Sequence, residues 1–154
     1  MENQLKDFGT SCFGTFLVPT IDIFQVLIDL SKADSNVWRA GNARTCLPLP
    51  RQNLRTAYKA GLKFGWGTDL DMASYAENPA QEFLIRRDLR GVSSVGLTRQ
   101  ATINSAEIIG TADSPIKVGK YAGLVVVDDN SDEDIAVMSK PHACVFKGGV
   151  QVGR

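Results

Sequence analysis

The sequence predicts an α/β chain with parallel strands that gives way, after Gly110, to a run of short β-strands. Two observations predict the first part. Residues 13–18 and 62–67 are short apolar runs of strand type, far apart in the chain, and the sequence between them is largely helical in pattern. Parallel strands need such crossovers, because a tight turn can join only antiparallel ones. The second part follows from the loss of helical periodicity beyond Gly110 and from Gly148-Gly149, a two-residue hairpin signal between apolar segments.

Taken in order, Phe13-Gly14-Thr15-Phe16-Leu17-Val18 is stopped by Pro19 and is too short for a helix. Thr20 is placed to cap a helix carrying Ile23, Phe24, Leu27 and Leu30. Residues 31–50 show no clear period and contain Pro48 and Pro50, which reads as a loop or lid. Residues 51–60 are helical, with Leu54, Ala57 and Tyr58 on one face and Gly61 as the stop. The second strand follows at 62–67. Asn78-Pro79-Ala80-Gln81 signals a helix start, with Asn78 as cap and Pro79 in the first turn, and that helix runs to about Arg90. Ser93 or Ser94 caps a further helix through Ala101, Ile103 and Ala106, closing at Gly110. Strands are then expected at 124–127, 135–138, 143–147 and 150–152.

The chain has 154 residues, 44% hydrophobic and 22% charged, which suits about one globular domain. Seventeen acidic residues balance seventeen basic ones. That argues against a nucleic-acid or polybasic membrane partner, since both need a positive surplus. Cys12, Cys46 and Cys144 have neither metal-ligand spacing nor an even count, so reduced thiols and a cytoplasmic location are expected. The polar start is not a signal peptide, and with no leading strand it suggests a chain that begins partway through something larger.

Few residues offer chemistry. Gly67-Thr68-Asp69-Leu70-Asp71 directly follows the second strand, and parallel α/β folds gather their active sites at that end of the strands. Asp69 is therefore a candidate metal ligand or general base, with a turn or helix-cap role as the alternative. His142 is the only histidine and reads as a surface turn residue, so neither a histidine-based zinc site nor a Ser–His–Asp set is supported. The acidic run 128–134 lacks the mid-loop glycine of a calcium loop and reads as a solvated turn. Gly14, Gly65 and Gly67 do not form a dinucleotide loop.

The ordered set of motifs resembles the amidohydrolase superfamily over nearly the whole chain. Phe16-Leu17-Val18-Pro19-Thr20 resembles the family's LVPT strand. Asn53-Leu54, Ala57, Ala60-Gly61 and Gly67-Thr68-Asp69 resemble its NLKxAxxAGVxxxxGTD segment. Glu82 falls where the family often carries a glutamate. Residues 101–110 resemble the ATxNxAxxLG helix, and Gly119-Lys120-Tyr121-Ala122 with Leu124-Val125-Val126 resembles GKxADLVV. Asp134-Ile135 and Val145-Phe146-Lys147-Gly148-Gly149 resemble the closing strands. The flavour is that of imidazolonepropionase-like and Xaa-Pro-dipeptidase-like members.

The resemblance implies the C-terminal portion of a (β/α)8 TIM barrel, with strands 7 and 8 and their helices in residues 1–112. Residues 113–154 would give strands of a small composite β-sandwich. It implies a metal-dependent hydrolase of carbon–nitrogen bonds, acting on a non-peptide amide, a cyclic amide or a dipeptide. The cofactor would be one or two divalent metals, usually zinc. Asp69 would be the eighth-strand aspartate, which touches the metal and takes the proton from the attacking water. The chain departs from the pattern in having no HxH pair and no fifth- or sixth-strand histidine. A closed barrel also needs about 200 residues or more. Gly123 stands for the usual aspartate, Ser114-Pro115 for a glycine, and Trp66 beside Gly67 is unusual. The isolated chain is therefore expected to be inactive, to hold no metal tightly and to associate through an open barrel edge. A non-catalytic binding module derived from an amidohydrolase is the alternative.

Overall fold

The computed structural model describes residues 15–33, 41–42, 45, 48–77, 80–89, 91–111 and 116–153. Cys12, Gly14, Cys46, the Asn78-Pro79 cap signal and Ser114-Pro115 lie outside the described residues. The elements are β1 (Phe16–Leu17), α1 (Asp22–Ala33), α2 (Pro48–Lys59), β2 (Lys63–Phe64), α3 (Met72–Glu77), α4 (Gln81–Arg87), α5 (Ser94–Arg99), a π-helical turn Gln100–Asn104 and α6 (Ser105–Ile108). After these come β3 (Leu124–Val126), a 3-10 helix Ile135–Ser139, β4 (Cys144–Lys147) and β5 (Val150–Gly153). Among the described residues no helix is long and apolar enough to cross a membrane.

β1 and β2 pair in parallel, with Phe16 opposite Lys63 and Leu17 opposite Phe64. The crossover between them contains α1 and α2, as two apolar runs separated by helical sequence require. Helix α2 begins earlier than expected, at Pro48. Prolines 48 and 50 are compatible with that start because the first-turn amides have no intrahelical partner to lose. So the loop expected over 31–50 is helical at both ends, with α1 running to Ala33, and its described residues 41–42 and 45 are helical as well. Helix α2 ends in a Schellman arrangement: Gly61 takes φ +81° and the amide of Leu62 donates to the carbonyl of Ala57 at 3.2 Å.

The core has two parts. Ile21, Leu54, Ala57, Phe64, Ile85 and Leu89 pack together beside the strand pair, with Leu17, Tyr58 and Leu62 against them. Ala80, Phe83, Leu97 and Ile135 form the second part, flanked by Trp66, Val92, Ala101 and Met138. That second cluster draws the 3-10 helix onto α4 and α5.

The segment 135–138 was expected as a strand and is this 3-10 helix. Asp134 caps it, its Oδ1 accepting from the amide of Ala136 at 2.9 Å. Ile135 and Val137 are both buried, and their two-residue spacing mimics the alternation of a strand. β3, β4 and β5 form an antiparallel sheet in that order. Gly148 and Gly149 both take positive φ, +61° and +81°, as a primed hairpin turn demands.

Candidate active site at the end of the second strand

The parallel strand pair presents its C-terminal ends in the segments 18–21 and 65–71. Gly65 and Gly67 are needed there for close approach. A Cβ on Gly65 would lie 2.2 Å from Ile108 Cδ1, and one on Gly67 would lie 2.9 Å from Val18 Cγ1. The glycines thus let α6 and the end of β1 close on β2.

Asp69 sits on the loop that leaves β2, exposed to solvent. Among the described residues it is the one non-glycine with positive φ, +60°. Left-handed backbone is costly for most side chains and tolerated best by aspartate and asparagine. The neighbouring Asp71 has a different task. Its Oδ1 accepts from the amides of Ala73 and Ser74 at 2.9 and 3.0 Å, and its Oδ2 from the Ser74 hydroxyl at 2.9 Å. It is the N-cap of α3, and the Ser74 amide and hydroxyl hold its carboxyl below the usual value. The helix-cap role weighed for Asp69 therefore belongs to Asp71, while the positive φ of Asp69 fits the turn role.

The loop's base is tied down from behind. The amide of Gly65 donates to Leu17 carbonyl at 3.0 Å, so Phe64 and Trp66 point their backbone groups to the opposite edge of β2. On that edge, Asn104 Nδ2 donates to Phe64 carbonyl at 2.6 Å and the Trp66 amide donates to Ser105 Oγ at 3.2 Å. Both side chains come from the π-helical turn and its continuation. The extra residue of a π-turn shifts side chains around the helix axis, and here Gln100, Asn104 and Ser105 all reach β2 or its partner Arg86.

Arg86 is the hub. It is 1% exposed. Its Nε donates to Glu82 Oε1 at 2.5 Å, and its Nη1 donates to Gly65 carbonyl at 2.8 Å and to Gln100 Oε1 at 2.9 Å. Its Nη2 donates to Pro19 carbonyl, so one guanidinium joins the ends of both strands. Trp66 lies over it, with the guanidinium 4.5 Å from the ring, and against Phe83, with ring centroids 4.0 Å apart. Trp66 thus packs into the helix layer.

Glu82 completes the anchor. Its Oε2 accepts from the amides of Ile21 at 3.1 Å and Asp22 at 2.8 Å. The N-terminus of α1 is therefore capped by a side chain from α4, and the capping role expected of Thr20 is not seen. Burial pushes the Glu82 carboxyl up, against the opposing pull of Arg86.

Of the sequence-predicted residues, the structure brings Asp69 to the strand end and leaves His142 half-buried in the β-sheet region. His142 was expected at the surface; its Nδ1 is enclosed without a partner. Among the described residues no group of three or more His, Cys, Asp or Glu side chains could hold a metal ion. Asp69 alone does not make a coordination sphere, so the residues described do not by themselves fit the metal centre that the resemblance implies. The set of buried Glu82, Arg86 and Gln100 with part-buried Asn104 and Ser105 was not singled out from sequence as a unit. The resemblance had marked Glu82 and the motif that holds Asn104 and Ser105; the i, i+4 spacing of Glu82 and Arg86 was a further legible signal.

The amidohydrolase family model matches residues 14–152. No curated protein matches the chain. Among solved structures, a prolidase complexed with N-methylphosphonate-L-proline superposes with a TM-score of 0.84 at 29% identity, over 100% of this chain and 38% of its own. A Xaa-Pro dipeptidase with bound methionine in its active site gives 0.80 at 26% identity, over 97% of this chain and 37% of that one. An Aspergillus niger ochratoxinase shares the fold, with a TM-score of 0.70 at 21% identity, over 90% and 32%. The chain thus spans less than two-fifths of the length of these relatives. Its likeness is to the Xaa-Pro-dipeptidase-like amidohydrolases.

Proposed function

The chain belongs to the amidohydrolase family, and on that premise we propose that it supplies the C-terminal part of a metal-dependent hydrolase acting on carbon–nitrogen bonds. The observation that carries the proposal is the setting of Asp69. It stands exposed and left-handed just past a parallel strand, on a loop whose base is fixed by Arg86, Asn104 and Ser105.

In this reading β1 and β2 are the seventh and eighth strands of a (β/α)8 barrel. Residues 1–112 are the barrel portion and 113–154 the strands of a composite β-sandwich. Asp69 is the carboxylate this chain contributes, as metal ligand and proton acceptor. The other ligands of a zinc-type centre belong to strands that this chain does not encode. The substrate is a small amide, and the likeness to a prolidase and a Xaa-Pro dipeptidase favours a dipeptide with C-terminal proline.

A single carboxylate is too little to hold a metal tightly or to catalyse alone. The isolated chain is therefore inactive and associates through the outer edge of β1, since Asn104 and Ser105 occupy that of β2. Metal analysis and a Xaa-Pro hydrolysis assay of the purified chain test this. The expected result is substoichiometric zinc and no turnover. One tightly bound zinc per chain, with turnover abolished in Asp69→Asn, would show that the chain is complete as an enzyme.

A further inference from the structure

Asp22 opens α1 and is 1% exposed, yet neither of its carboxylate oxygens has a hydrogen-bond partner. A buried carboxylate is ordinarily paired or hydrogen-bonded, because desolvating the charge is costly. The reason it is left over lies in Glu82. Two carboxylates meet at one helix N-terminus, and the amides of Ile21 and Asp22 both donate to Glu82. Glu82 also holds Arg86, whose remaining hydrogen bonds go to Gln100 and to the carbonyls of Pro19 and Gly65. The charged groups that α4 brings to this corner are thus Glu82, which repels an ionised Asp22, and Arg86, which is engaged elsewhere. From α2, Arg55 lines the pocket beside Pro19 and Arg86, and Leu17, Leu54, Ala57 and Phe64 pack apolar side chains around Ile21; the charge that acts on Asp22 is that of Glu82.

We propose that Asp22 and Glu82 form a proton-operated latch on α1: with Asp22 protonated the helix seats its N-terminus on Glu82, and loss of that proton drives the start of α1 off α4. Burial, with the Glu82 charge second, pushes the Asp22 carboxyl up to about 6, so the latch works close to neutral pH. What moves with α1 is the turn that leaves β1. Val18 and Thr20 of that turn lie against Gly67, where a Cβ would sit 2.9 Å from Val18 Cγ1 and 3.5 Å from Thr20 Cγ2. Opening the latch therefore loosens the contact behind the Asp69 loop. The latch itself stands whether or not Asp69 is a catalytic residue, since it uses none of that residue's chemistry.

Backbone hydrogen exchange by NMR on the full chain tests it, with rates corrected for intrinsic pH dependence. Between pH 5 and pH 7 the protection of the Ile21 and Asp22 amides falls about tenfold, the change that a carboxyl moved from 3.8 to about 6 imposes on an opening that frees it. At pH 7 these two amides exchange faster than that of Leu97. In Asp22→Asn the change shrinks to about threefold or less. The Asp22 carboxyl carbon, followed in the same samples, titrates with a midpoint near 6. A smaller drop in the wild-type chain, an equal drop in Asp22→Asn, protection matching Leu97 at pH 7, or a midpoint near the ordinary 3.8 would overturn the proposal.

Discussion

Asn104 Nδ2 donates to the Phe64 carbonyl at 2.6 Å, on the edge of β2 that faces away from β1. A side chain from the π-helical turn thus takes a place that a neighbouring strand would otherwise fill. The link is part-buried, so its loss leaves a strand carbonyl without its donor. Asn104→Leu is expected to cost about 1–3 kcal/mol in urea unfolding. An unchanged midpoint would mean that water reaches that edge freely.

The Glu82–Arg86 pair is almost fully buried, with side chains 0% and 2% exposed. Removing one partner strands the other's charge. Arg86→Met and Glu82→Leu are each expected to destabilise the chain by about 3–5 kcal/mol, and the double variant by much less than the sum. Additive losses by chemical denaturation would show that the two act separately.

The pH dependence follows from Asp22. Its carboxyl is raised from 3.8 to about 6 in the folded chain. The protonated form is the one that folding favours, so its full contribution is present below 3.8 and is lost as pH rises through about 6. Asp22→Asn should therefore stabilise the chain at pH 7 by roughly 1–3 kcal/mol and gain nothing at pH 4. Paired denaturation curves at the two pH values measure it; a gain at pH 4 equal to that at pH 7 would point to packing instead.

Asp69 should show the opposite of a structural residue. It is exposed and holds φ +60°, a conformation glycine adopts without strain. Asp69→Gly is expected to leave stability unchanged or raise it by up to about 1 kcal/mol. A loss beyond about 1 kcal/mol in thermal unfolding would mean that the fold itself needs this carboxylate.

How much of this was legible in the sequence depended on whether the cause was local. The strand pair, a serine cap at 93 or 94 (Ser93 in the structure) and the stops at Gly61 and Gly110 were readable, because apolar runs and positive-φ glycines act on their own neighbours. The 3-10 helix at 135–139 was misread, since two buried residues two apart fit a strand equally well until Ile135 is seen packed on Phe83 and Leu97. The cap of α1 was also hidden. Thr20 was the near candidate, but Glu82, distant in sequence, takes the amides. Asp69 was singled out from its place after a strand, while the buried anchors behind it arise from tertiary contacts between segments that no local spacing connects.

In the proposed reading, Asp69 completes an amidohydrolase site whose other ligands lie elsewhere. The most direct measurement replaces the matching C-terminal part of the prolidase relative with this chain and assays Xaa-Pro dipeptide hydrolysis, with folding verified by circular dichroism. The chimera is expected to turn over substrate, and Asp69→Asn to lower kcat by about 100-fold or more. A folded chimera without activity, or one in which Asp69→Asn turns over as fast as its parent, would contradict that reading.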